Sequence, residues 1–219
     1  MDGMNKEKWL AMTPRQKREH IWEYYKLPIV GGLVAVLILG WLMYGWLTYR
    51  ESVLDVIVTD SVEYLYEDIF HDFLKEKGYE TFKNAVVIQQ NMRFDLDDPD
   101  MLETNYNSYN TLYALLVSGK QDVLFTNSDM FGTCAVQGGL MDLRQVLPEE
   151  FFETYDGLFL YVQDENTEET YPCGIKVDDN PWVQENMNKY KGYVGIPKFA
   201  DDVQQATEFL LYLLAQEGA

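Results

Sequence analysis

Residues Leu27 to Leu47 read LPIVGGLVAVLILGWLMYGWL, without one charged side chain. At about 1.5 Å per residue, a helix of that length reaches about 31 Å, which matches the hydrocarbon core of a bilayer. A buried helix of a soluble domain rarely needs such uniform apolarity. Trp22, Tyr24, Tyr25 and Lys26 stand before the run, and Trp41, Tyr44, Trp46, Tyr49 and Arg50 at its far end. Amphipathic aromatics next to charge suit a membrane–water interface. The pattern predicts one membrane-spanning helix over residues 27–48, with the lipid bilayer as its partner.

Charge orients the span. The tail, residues 1–26, carries Lys6, Lys8, Arg15, Lys17, Arg18 and Lys26 against Asp2, Glu7, Glu19 and Glu23, whereas only Arg50 is basic just after the run. The positive-inside bias puts the tail in the cytoplasm and residues 49–219 outside the cell membrane. A cleaved signal peptide would have a shorter apolar core and small residues at its exit. Here the exit is Trp46-Leu47-Thr48-Tyr49-Arg50-Glu51, so an uncleaved signal anchor is expected.

Residues 51–219 hold 10 basic and 32 acidic side chains, a net of −22. Such a surface repels phosphate backbones, so nucleic acid is excluded as a partner. The length suits one compact domain. Its two cysteines, Cys134 and Cys173, lie on the side where a disulfide is permitted, but two separate buried thiols account for them equally well. They form no zinc set, because His20 and His71 fall on opposite sides of the span.

The tail holds Thr13-Pro14-Arg15-Gln16, an N-cap, a proline at the first helical position and a capping-box glutamine. A helix over residues 14–25 should lead to the membrane, with Pro28 kinking or restarting it. As an interfacial anchor it would fix orientation; as a docking helix it would meet a cytoplasmic partner. Beyond the span, a β-branched run at Val53–Val58 and apolar strand-like runs at Ala85–Ile88 and Asp122–Phe125 alternate with helical patterns over 62–77 and 104–117, closed by Gly78 and Gly119. Further strands are expected at 158–162, 171–177 and 193–197, and helices from Asn180-Pro181 and over 200–214. Short apolar strands separated by helices predict an α/β fold on a parallel sheet.

Leu112–Phe125, with a Ser-Gly turn before a strand that opens on Asp, resembles a passage of bacterial extracellular solute-binding proteins. So do Gly138-Gly-Leu-Met-Asp-Leu143, Tyr171-Pro-Cys-Gly-Ile175 and Ala206–Leu214. The tail motif Ile21-Trp-Glu-Tyr-Tyr-Lys-Leu-Pro28 is similar to small single-span bacterial envelope proteins. The resemblance implies a periplasmic-binding-protein-like α/β lobe behind one transmembrane helix. Such proteins close two lobes on a solute, and residues 49–219 suffice for a single or reduced lobe only.

In parallel sheets, ligands sit beyond the carboxyl ends of strands, which here carry Asp60, Ser61, Asn127, Ser128 and Asp129. Those residue types equally cap helices, and capping is the stronger reading. Asp95, Asp97, Asp98 and Asp100 could offer oxygens to Ca²⁺, but an EF-hand-like loop needs Gly where Asp100 stands and Glu where Tyr106 stands; a solvated acidic loop fits better. No cofactor motif is present, and the triad, P-loop and H-E-x-x-H patterns are missing. The expected activity is therefore non-catalytic binding or interaction outside the membrane, with an envelope or transporter protein as partner. The alternative is a small sensor or transporter accessory whose cytoplasmic helix reports on the exterior domain.

Overall fold

The structure is a computed structural model and describes residues 6–95, 98–163 and 169–217. It divides into two compact units, residues 1–49 and 50–219. In the first, α1 (Lys6–Ala11) precedes α2 (Pro14–Thr48). The predicted capping box is formed: Thr13 Oγ1 accepts from Gln16 N–H, and Gln16 Oε1 accepts from Thr13 N–H at 3.0 Å. Pro28 does not restart the helix, one of the two expected effects: α2 runs through it for 35 residues. Proline removes one i to i−4 bond there, and the remaining hydrogen bonds of the long helix on either side outweigh that loss. Within α2, Tyr25–Thr48 is long and apolar enough to cross a membrane.

The second unit begins with β1 (Glu51–Thr59) and continues through α3 (His71–Glu76), β2 (Asn84–Met92), α4 (Leu102–Ser118), β3 (Val123–Thr126) and α5 (Ser128–Val136). Then follow α6 (Glu149–Thr154), β4 (Phe159–Gln163), β5 (Thr170–Lys176), α7 (Pro181–Asn186), β6 (Tyr193–Gly195) and α8 (Val203–Glu217). The six strands form one sheet in the order β2-β1-β3-β6-β5-β4. β1 pairs in parallel with β2 and β3, as expected. The all-parallel expectation fails beyond that: β6 is antiparallel to both β3 and β5, and β4 is antiparallel to β5, so the sheet is mixed. Six residues separate β4 from β5, a spacing that permits their antiparallel pairing.

Period-two alternation sorts the core onto both faces. Leu54, Val56, Val58, Val123 and Phe125 point to one side, where Phe70, Phe73, Trp182, Phe209 and Tyr212 form an aromatic cluster beneath α3, α7 and α8. Ile57, Leu124 and Cys173 point to the other, under Leu112, Leu116, Met130 and Phe131 of α4 and α5. Gly119 (φ +76°) ends α4 in a left-handed cap, as read from the sequence. The helix expected over 62–77 shrinks to a 3-10 turn at Glu67–Phe70 and α3. Upstream of it, the Gln90 amide clamps Leu65, accepting from its N–H and donating to its C=O at 2.7 Å each. That pairing imitates a neighbouring strand and holds the segment extended.

Candidate functional site

β1 leads to β2 on one side of itself, and β2 leads back past it to β3 on the other. The strand order therefore reverses between β1 and β3, where open α/β sheets leave a crevice for ligands. The carboxyl ends of these strands bring two of the sequence-predicted residues together. Asn127 Nδ2 donates to Asp60 Oδ2 at 2.8 Å. Thr59 Oγ1 donates to the same oxygen at 2.9 Å, and Phe94 N–H donates to Oδ1 at 2.6 Å. Thr126 Oγ1 stands 2.7 Å from Thr59 Oγ1 and extends the network. Asp60 adopts φ 57°, a left-handed conformation costly for a residue other than Gly, Asn or Asp. This turn lets a side chain at the strand end fold back over the crevice.

Asn127 has a second role as N-cap of α5, its Oδ1 accepting from Met130 N–H at 2.9 Å. Tyr190, which the sequence reading missed, is buried close by. Burial, and secondarily the charge of Asp60, push its phenol above the usual tyrosine range, and the nearby Thr59 hydroxyl opposes that shift. No local signal marked it, because it arrives from a turn 130 residues downstream of Asp60. The arrangement is a carboxylate held by three donors. Beside this network, Ser61, Gln90, Arg93 and Thr104 line an open hollow of about 350 Å³.

The remaining predicted positions do not join this network. Ser61 donates to Glu63 O in the next turn. Ser128 and Asp129 are exposed in the first turn of α5. In the acidic loop, Asp98 Oδ1 caps Asp100 N–H at 2.9 Å, Asp95 N–H donates to Asn105 Oδ1, and Asp97 lies outside the described residues. Among the described residues no three Asp, Glu, His or Cys side chains gather in a way that could hold a metal ion. Cys134 and Cys173 are both buried and free, so the disulfide left open from the sequence is not formed. Burial pushes the thiols up, to about 11 for Cys134 and about 12 for Cys173, which leaves them protonated and inert. The Cys173 thiol donates to Leu160 O across the β4–β5 pair.

At the opposite end of β3, Asp122 is buried and accepts two backbone donors, Asp55 N–H at 2.8 Å and Asp202 N–H at 3.1 Å. It ties β1 and β3 to the start of α8. A separate groove of about 240 Å³ runs between α4 and the segments around Gly138-Gly139 and Lys198-Phe199, with Leu112, Tyr113, Leu116 and Val117 along one wall. Compared with known proteins, the chain matches no protein-family profile, no curated sequence and no solved structure.

Proposed function

We propose that this chain is a non-catalytic, single-span membrane protein: α2 anchors it, the basic tail lies in the cytoplasm, and residues 49–219 form an exterior, solute-binding-protein-like lobe that contacts another macromolecule. The single observation that carries this reading is the hydrogen-bond network that consumes the Asp60 carboxylate at the switch point. Asp60 takes the three donors that a captured solute would need, and one lobe cannot enclose a small ligand on most of its surface, as tight sites do. Contact then falls to the outer surface, where a protein partner fits better than a metabolite. The parallel trio β2-β1-β3, with its switch point, supports the lobe-like reading of the fold.

Topology is tested by adding protease to intact cells that express the full chain. Residues 49–219 should be digested while the tail survives in a membrane-bound fragment; an intact domain would end the proposal. A second reading, that of a sensor or transporter accessory, is favoured by α2, which carries part of the tail and the span in one continuous helix. Deleting residues 1–20 while keeping Lys26 separates the two. A cell lacking the native chain is rescued by the truncated form if exterior contact suffices, and is not rescued if the tail must report inward.

A further inference from the structure

α4 is the least charged long surface of an intensely charged unit. Its 17 residues contain one ionisable acid or base, Glu103, and are otherwise Tyr, Asn, Ser, Thr and aliphatics. Leu102, Tyr106, Tyr113 and Val117 are each more than half exposed, and with Tyr109 they fall within one narrow arc of the helix. Aromatic enrichment with loss of charge is the composition of an interface centre. A basic partner would be met by carboxylates placed within the patch, and α4 offers almost none. Two copies of residues 51–219, each carrying −22, approach most readily where charge is missing.

The ends of α4 decide between occupants. Its N-terminal end carries exposed Asp98, Asp100 and Glu103; its C-terminal end carries exposed Lys120 just past Gly119, and Lys198 on the groove. Turned antiparallel upon itself about a point between Tyr109 and Asn110, the helix sets Leu102 opposite Val117 and Tyr106 opposite Tyr113. Lys120 then meets the turn that holds Asp98 and Asp100. Apolar faces apolar, and acid faces base, twice over. We infer that α4 is a homodimer interface, packing antiparallel against α4 of a second copy across a twofold axis.

The test uses the full chain in detergent micelles. With Cys134→Ala and Cys173→Ala as background, checked for native circular dichroism, Asn110→Cys beside the axis should give disulfide-linked dimers on mild oxidation. Gln89→Cys, exposed on β2, should not. In the otherwise native chain, Tyr106→Asp with Tyr113→Asp should weaken sedimenting dimers by about tenfold or more. Lys120→Glu should weaken them, and adding Asp98→Lys and Asp100→Lys should restore them. A native chain that sediments as a monomer overturns the inference, whether α4 is then bare or covered by a different protein. Dimers that ignore the tyrosine changes, or that cross-link through Gln89→Cys, overturn it equally. None of these outcomes bears on membrane topology, so the anchor reading stands or falls apart from this one.

Discussion

Asp60 joins a left-handed backbone to a charged side chain. Held at φ 57°, it spends its carboxylate on Phe94, Asn127 and Thr59, and so links β1 to the start of α5 and to the segment after β2. Hydrogen bonds to an ionised acceptor are stronger than neutral ones, and removing the acceptor strands its donors. Asp60→Ala should therefore destabilise the second unit by about 2–3 kcal/mol, measured by urea unfolding. Asp60→Gly should cost less than the alanine, because glycine accepts the positive φ. If the two variants were equal, the backbone conformation would contribute nothing. The sequence marked Asp60 and Asn127 as candidates through their residue types at strand ends. It could not pair them, since 67 residues separate the two and nothing local records that distance.

At the scale of elements, α5 reaches the sheet closely because two strand positions lack a side chain. A Cβ on Gly174 of β5 would land on the edge of the Phe131 ring, and one on Gly195 of β6 would meet the same ring at 2.8 Å. Gly174→Ala should cost about 1–3 kcal/mol by overpacking, and Phe131→Leu in the same chain should recover part of it. A Gly174→Ala chain with an unchanged melting temperature would show that α5 shifts freely. Element identity was mostly legible in the sequence: a β-branched run marked β1, apolar runs marked β2 and β3, Gly119 marked the end of α4, and Asn180-Pro181 marked the start of α7. Strand direction was not, because apolar alternation reads the same in parallel and antiparallel pairs. The helix foreseen from Val62 failed for a related reason: the Gln90 clamp on Leu65 is a tertiary contact and overrides local spacing.

Over the whole molecule, charge and burial act in the same direction with pH. Burial, opposed by its two backbone donors, lifts the Asp122 carboxyl from the ordinary 3.8 to about 6, and burial likewise raises Asp55 beside it. Between about pH 4 and 6 the folded chain thus keeps a proton that the unfolded chain has lost. Stability should fall as pH rises through that window and level off above it. Relief of the net negative charge adds to the same slope, and salt removes that share while leaving the buried one. The melting temperature should accordingly rise from pH 7.5 to pH 5 in high salt, and Asp122→Asn should flatten the rise. A melting temperature that drops on acidification would place the dominant titration elsewhere. One further consequence belongs to α2 and its passage through Pro28. Thirty-five helical residues make a shaft of roughly 52 Å, about 20 Å more than a bilayer's oily interior can hide. Its apolar part and its basic part thus share one helix, interrupted only by the hydrogen bond missing at Pro28, and that shared helix is the physical link the sensor reading needs between Thr48 and the turn holding Arg15 and Glu19.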